Sequence, residues 1–180
     1  MTAPGFALFE TSIGRCAIAW GERGIVSLQL PEADENATRA RILRRYPEAR
    51  EGPPPPDAAR AADQVRRLLN GEPRDLTSIS LDMTGVPDFH RRVYELARTI
   101  RRGETMTYGE IATRLGDPGL SRAVGQALGR NPFAIIVPCH RVLAAGGRPG
   151  GFSAASGVAT KRRLLEIEGA RDLQPLLPGL

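Results

Sequence analysis

The 180-residue sequence has few of the residues that build disulfide frameworks, metal sites and membrane spans. Its only cysteines are Cys16 and Cys139, and its only histidines are His90 and His140. Without a C-x-x-C pair or a His/Cys cluster, we expect free thiols, no metal and no cofactor. No run of about 18 apolar residues occurs, and the N-terminus does not resemble a signal peptide, which predicts a cytoplasmic protein without membrane contact.

Lysine is also scarce, since arginine supplies 24 of the 25 basic residues. Charge is uneven along the chain: residues 1–84 carry 11 basic and 12 acidic side chains, whereas residues 85–180 carry 14 and 8. The net charges are therefore −1 and +6. An arginine-rich coding bias explains the residue type but not this asymmetry. The second half is predicted to face a polyanion.

The first 84 residues have the pattern of a small α+β domain. The turn sequence "GERG" predicts a hairpin, and Cys16 in the preceding apolar run is expected as a small buried hydrophobe. The proline run "REGPPPP" excludes regular structure between two helical segments. The predicted elements are strands within 6–30, helices over 36–46 and 57–71, and a strand, "SISLDM", over 78–83.

From about residue 85 the pattern becomes mainly helical, which predicts a C-terminal domain over 85–170 and a tail over 171–180. A helix over "VPDFHRRVYELARTIRRG" is expected to stop at Gly103, with His90 as a surface or packing residue. Its apolar stripe comprises Phe89, Val93, Leu96, Ala97 and Ile100.

Two shorter helices are predicted around the turn "GDPG". Thr107 and Glu110 form a T-x-x-E capping box for the first, and Ser121 is expected to cap the second, which ends near Gly129. Such a pair is either a packing unit or a helix-turn-helix. In the second helix Val124 and Leu128 are predicted to face inward, whereas the outward face includes Arg122, Ala123, Gly125 and Gln126.

The stretch "AIIVPCHRV" places a cysteine and a histidine side by side. Pro138 is predicted to end an "AIIV" strand, so that Cys139 lies at its rim and His140 points to the opposite side. The pair is either a thiolate with its base or a buried cysteine beside a structural histidine. A histidine base needs an orienting acceptor, and Glu166 and Glu168 on the last helix both qualify.

The second half resembles the O6-alkylguanine-DNA alkyltransferases. The motifs that carry the resemblance are "TYGEIA", "SRAVGQALGRNP", "IIVPCHRV", "GGFS" and "KRRLLEIEG", in the family's order and at nearly its spacing. It covers residues 87–169, whereas the first half matches only as the family's less constrained N-terminal domain. The implied fold is an α+β domain followed by a mainly α domain with a winged-helix-like helix-turn-helix.

The resemblance implies irreversible transfer of the O6-alkyl group of guanine to Cys139, once per molecule, and leaves the O4-alkyl group of thymine as a second candidate substrate. His140 would deprotonate Cys139 through a water and Glu168 would hold His140. Asn131 would brace the turn before the active site, and Tyr108 would help rotate the nucleotide and protonate the departing guanine.

The resemblance also implies a monomer that binds double-stranded DNA through the minor groove and flips the damaged base out of the stack; clustering of molecules on DNA is left open. Arg122 would fill the hole left in the stack, and the small residues beside it on the second helix would allow close approach. The residues expected to contact the flipped base are Val142, Phe152 and Ser153. Lys161, the single lysine, is expected to organise the active-site loop.

Three features depart from the family pattern. Phe152 replaces the usual tyrosine, the segment "SAASGV" is about two residues longer, and the zinc ligands of some relatives have no counterparts. The main alternative function is a non-catalytic lesion-binding relative, but such proteins replace the cysteine that this chain retains. A helix-turn-helix regulator would need a sensor or dimerisation segment, and a cysteine hydrolase would need a substrate site; neither is visible.

Overall fold

A four-stranded sheet organises the N-terminal half of the computed structural model, which describes residues 4–151 and 157–171. The strands are β1 (Gly5–Thr11), β2 (Gly14–Gly21), β3 (Gly24–Gln29) and β4 (Arg50–Glu51), in the order β3-β2-β1-β4. The first three are antiparallel and β4 runs parallel to β1. The hairpin predicted at "GERG" is confirmed, and Gly24 is required there because its φ is +135° and a Cβ would lie 2.6 Å from the Ser80 carbonyl oxygen.

Two helices cover opposite faces of this sheet. They are α1 (Glu35–Arg45), capped by Asp34, and α2 (Pro56–Leu69), as the sequence predicts to within two residues. Because side chains alternate along a strand, Ala17 and Ala19 of β2 pack with Ile42 of α1, whereas Cys16 and Ile18 lie in the cluster that includes α2. Cys16 is fully buried, as expected.

The strand predicted at residues 78–83 is wrong. This segment touches β3 at one bridge only, where Ile25 N–H donates to Ser80 O and Asp82 N–H donates to Ile25 O. Just before the bridge, the Arg98 guanidinium donates to three backbone carbonyls, those of Leu76, Thr77 and Ile79. Because a side chain satisfies these carbonyls, the segment can stay irregular without leaving them unpaired.

The C-terminal half is mainly helical, as predicted. Its first helix, α3 (Asp88–Ala97), ends six residues before Gly103 because the chain tightens into i→i−3 bonds from Thr99 and Ile100. Tyr94 is buried in α3, and its hydroxyl donates to the Ala127 carbonyl at 2.8 Å. This bond fixes α3 against the helix that contains Ala127.

The two short helices are α4 (Tyr108–Arg114) and α5 (Ser121–Gly129). The capping box of Thr107 and Glu110 is confirmed. The cap predicted at Ser121 is wrong, because Leu120 is the N-cap residue and the Ser121 hydroxyl donates instead to Pro118 O. A short 3-10 turn, Pro118–Leu120, leads directly into α5. Val124 and Leu128 are buried, as expected.

The remaining elements complete the C-terminal half, and backbone bonds to β3 join it to the N-terminal half. A two-residue parallel pair, β5 (Met106–Thr107) and β6 (Val142–Leu143), lies beside the final helix, α6 (Val158–Glu168). Edge strand β3 also bonds the segment before the candidate site: Leu28 N–H donates to Pro132 O at 2.9 Å, and Ala134 N–H donates to Leu28 O at 3.3 Å. Within the described ranges, no helix has the length and apolar character needed to cross a membrane.

Candidate active site

The segment before Cys139 is a tight turn rather than the predicted "AIIV" strand. Ile136 N–H donates to Ala134 O and Val137 N–H to Phe133 O, both at 2.8 Å, and Ile135 has a φ of +69°. A β-branched residue in the left-handed region costs about 1–3 kcal/mol, so the surrounding contacts must hold it.

Asn131 supplies those contacts. Its side-chain amide donates to Val137 O at 2.9 Å, while its carbonyl oxygen accepts from Phe133 N–H at 2.9 Å. One side chain therefore spans the turn and fixes where Cys139 emerges.

Cys139 begins a 3-10 turn, Cys139–Arg141, so the expectation that Cys139 and His140 alternate along an extended strand is wrong. The turn keeps Cys139 partly exposed while His140 and Arg141 are buried. A partly exposed cysteine followed by a buried base is a workable arrangement for nucleophilic chemistry.

Glu168 lies against His140, with His140 Nε2 and Glu168 Oε1 3.0 Å apart and both side chains buried. Glu166, the other candidate, points outward and pairs with Arg162. Because a carboxylate only accepts hydrogen bonds, Nε2 carries the proton of the neutral ring, which leaves Nδ1 as the basic nitrogen. Nδ1 has no hydrogen-bond partner among the described residues.

Arg141 also holds Glu168, and this role was not foreseen from the sequence. Its Nε donates to Oε2 at 2.9 Å and one terminal nitrogen donates to Oε1 at 2.7 Å, while the other terminal nitrogen donates to Ile100 O. Burial alone would raise the pKa of Glu168, but the charges and hydrogen bonds of His140 and Arg141 lower it to about 2. The only feature of the sequence that could have indicated this role is the position of Arg141 directly after the Cys-His pair.

Lys161 is completely buried beside Tyr108. Its ammonium donates to Val142 O at 2.5 Å, lies 3.5 Å from the Tyr108 hydroxyl and sits 5.6 Å from the centre of that ring. Burial lowers the pKa of Lys161 to about 8, although the nearby Cys139 opposes this effect. Burial also raises the pKa of Tyr108, so its hydroxyl keeps its proton at neutral pH.

The pKa of the Cys139 thiol is raised by burial. Hydrogen bonding to Asn131, the charge of Lys161 and the backbone N–H groups of Cys139 and His140 act in the opposite direction. The thiol is therefore protonated at rest, but it lies among groups that stabilise a thiolate once a base removes the proton.

The motifs around Cys139 recur in known proteins. Residues 88–170 match the family described as "6-O-methylguanine DNA methyltransferase, DNA binding domain". A methylated-DNA–protein-cysteine methyltransferase of Methanosarcina acetivorans is 36% identical over 165 residues, which cover 92% of this chain and 98% of that protein. Its counterpart in Methanothermobacter thermautotrophicus is 36% identical over 152 residues, 84% and 78% of the two chains. This chain belongs to the methylated-DNA–protein-cysteine methyltransferase family.

Solved structures of related methyltransferases have the same fold. The Mycobacterium tuberculosis O6-methylguanine methyltransferase is 36% identical and superimposes with a TM-score of 0.75, covering 92% of this chain and 93% of that one. The enzyme of Pyrococcus kodakaraensis is 29% identical with a TM-score of 0.74, covering 92% and 99%.

In this methyltransferase the outward face of α5 adjoins Tyr108. Arg122 and Gln126 are exposed to solvent, and Ala123 and Gly125 beside them are half-buried. A Cβ on Gly125 would lie 3.9 Å from the Tyr108 ring, so α5 packs closely beside the site.

Of the three residues expected to contact the base, the structure describes only Val142. Val142 is fully buried in β6, and its contribution is the carbonyl that binds Lys161. Phe152 and Ser153 lie outside the described residues, as does most of the 153–158 segment. The chain approaches Tyr108 at Gly150, whose φ is +65° and where a Cβ would lie 3.0 Å from the Tyr108 hydroxyl.

Proposed function

We propose that this chain repairs DNA by direct reversal, moving the alkyl group from O6 of guanine to the sulfur of Cys139, once per molecule. The observation that carries the proposal is the buried chain of contacts from Arg141 through Glu168 to His140, directly beside the partly exposed residue Cys139. This arrangement supplies a base that stays oriented by a carboxylate fixed on both of its oxygens.

The first step makes the nucleophile. His140 Nδ1 takes the thiol proton of Cys139 through a water, and Glu168 stabilises the imidazolium that results. The charge of Lys161 and the hydrogen bond with Asn131 stabilise the thiolate. Making the thiolate only in the reacting complex protects the single-use cysteine from other electrophiles.

The second step transfers the alkyl group. The sulfur bonds to the alkyl carbon, the bond between that carbon and O6 breaks, and its electron pair passes to guanine. Tyr108 donates its hydroxyl proton to the departing guanine, and Lys161, 3.5 Å away, returns a proton to Tyr108. The ammonium is no longer needed at this stage, because the thioether of Cys139 carries no charge.

The DNA-binding role falls to α4 and α5 as a winged-helix-like helix-turn-helix, within a DNA-binding domain over 85–170. We place α5 in the minor groove, since Ala123 and Gly125 leave room for close approach and Arg122 projects from the first turn. The damaged base leaves the stack at an unstacking cost of a few kcal/mol, which insertion of Arg122 offsets in part. The protein acts as a monomer in this scheme.

One experiment tests the proposal. The protein is incubated with duplex DNA containing O6-methylguanine, and its peptides are analysed by mass spectrometry. We expect one methyl group per molecule on the peptide with Cys139 and none in Cys139→Ala. Cys16 is an internal control, because burial raises the pKa of its thiol to about 12 and it should stay unmodified.

An unmodified protein that still binds the lesion would contradict the proposal and favour the non-catalytic lesion-binding alternative. Methyl groups on both cysteines would also contradict it, since this outcome indicates unspecific alkylation rather than transfer at one site.

A further inference from the structure

A cleft between α1 and the end of α5 contains four arginines and has Cys139 in its wall. It has a volume of about 360 Å³, and residues of β3 form its floor. We name it the α1–α5 cleft. Its arginines are Arg41, Arg44, Arg45 and Arg130, and no aspartate or glutamate of the described residues lines it.

Three of these arginines have no carboxylate partner within residues 4–151 and 157–171. Arg41 pairs with Glu32 at 2.8 Å, but Arg44, Arg45 and Arg130 are exposed and form no ion pair in the described structure. Most of the other arginines in the N-terminal half, such as Arg39, pair with acidic neighbours.

The arginines come from two elements that the fold brings together. Arg44 and Arg45 lie in the last turn of α1, where the helix dipole favours basic residues, but the dipole does not account for Arg130. Arg130 directly follows α5, and both it and Arg45 lower the pKa of Tyr94 against the raising effect of burial. The charges of both guanidiniums therefore act on Tyr94, and two like charges held near each other are best stabilised by an anion.

We propose that the α1–α5 cleft binds backbone phosphates of the DNA duplex beyond the end of α5. This inference rests on the proposed function, because it extends the DNA interface of that site. The positions of Arg122 and Arg130 are eight residues apart, or about 12 Å along the helix axis. A duplex carries about one charge per 1.7 Å, so a backbone that continued past the end of α5 over the cleft would present several phosphates to its arginines.

A phosphate backbone fits the cleft better than an acidic protein segment does. Guanidiniums bind phosphate oxygens in a fork geometry, and Arg130 makes the cleft continuous with the candidate recognition helix. The N-terminal half, whose net charge is −1, thus contributes basic contacts at the edge that faces the site.

The test compares Arg44→Gln/Arg45→Gln with a matched control, Arg50→Gln/Arg60→Gln, whose arginines lie outside the cleft. Binding to an unmodified duplex of about 20 base pairs is measured over a series of salt concentrations. We expect the slope of log K against log salt to become shallower by roughly 1.8 in the cleft variant, because each phosphate that is no longer neutralised changes it by roughly 0.9. The slope should stay constant in the control, and a charge-conserving variant, Arg44→Lys/Arg45→Lys, should keep it.

Three outcomes would overturn the inference. The first is an unchanged slope in the cleft variant, and the second is an equal change in the control, which indicates net charge alone. The third is an unchanged slope with loss of cooperative binding on long duplexes, which assigns the cleft to contacts between copies of the chain.

Failure of the proposed function is distinguishable from these results. Alkyl transfer from free O6-methylguanine base is measured for each variant, and the ratio of duplex to free-base rates should fall only in the glutamine cleft variant. If duplex binding shows the expected slopes but no alkyl group is transferred from either duplex DNA or the free base, the proposed function is wrong and the phosphate site is still supported.

Discussion

Replacing Glu168 by glutamine removes a charge from the centre of the site and nearly conserves its shape. The carboxylate contacts His140 through one oxygen and Arg141 through both. A glutamine has one acceptor oxygen, and its NH2 group must face one of these donors. The variant therefore leaves a buried guanidinium without its counter-ion.

The pKa of Glu168 gives the size and sign of the effect. Its value falls from an ordinary 4.5 to about 2 on folding, and one pKa unit corresponds to about 1.4 kcal/mol, so the charged form contributes about 3 kcal/mol of stability. Because the folded pKa is the lower one, this contribution is complete above pH 4.5 and is lost as the pH falls towards about 2.

We therefore expect Glu168→Gln to be less stable than the parent by about 3 kcal/mol at pH 7, with a difference that shrinks below pH 4.5. The assay is urea unfolding at a series of pH values, followed by far-ultraviolet circular dichroism. Glu48→Gln, at an exposed position, is the control and should differ little from the parent at any pH.

A stability difference that stays constant between pH 7 and pH 2 would refute this reasoning, because it would mean that the carboxyl titrates alike in the folded and unfolded chains. A difference near zero at pH 7 would show that Arg141 and His140 find other partners.

Three further predictions concern the reaction. Lys161→Met should slow transfer at pH 7 on the order of tenfold, since losing the ammonium raises the pKa of Cys139. We expect the rate of the parent to decline above about pH 8, where Lys161 loses its proton, and the variant to lack this decline; single-turnover rates against pH test both. Gly150→Ala should slow transfer because its Cβ would displace Tyr108, whereas Gly151→Ala, whose added Cβ meets no atom of the described residues within 4 Å, should not; equal rates would remove the packing role. Arg122→Ala should slow repair in duplex DNA more than reaction with the free alkylated base, and equal losses would contradict its role in the stack.

Local patterns predicted the helices and strands well where each element's own side chains determine it. The Thr107–Glu110 capping box lies within the first turn of α4, so its sequence spacing is sufficient to predict it. The predictions failed where a distant side chain binds the backbone. Arg98 binds carbonyls in and before the segment predicted as a strand, and no local pattern reveals a donor that lies 19 to 22 residues further along the chain.

The candidate site shows the same limit. The apolar, β-branched run before Pro138 has every local property of a strand, yet Asn131 and the left-handed Ile135 fold it into a turn. Spacing left Glu166 and Glu168 as equal candidates, and only the packing of α6 against the 3-10 turn decides which one meets His140. The motif resemblance pointed to Glu168 because it carries information about tertiary contacts.

The raised pKa of Cys139 is part of how the site works rather than an argument against a nucleophile. A molecule that reacts once loses its function if its sulfur reacts with any other electrophile, so a thiol that stays protonated at rest protects it. The groups that would stabilise the thiolate, Lys161 and Asn131, are held in place by Val142 O and by the turn before the cysteine. Activation then needs only transfer of one proton to His140, whose imidazolium Glu168 is already positioned to stabilise. The resting thiol and the prepared base are two properties of one arrangement, and a variant that lowers the thiol pKa at rest should be alkylated faster by unspecific reagents.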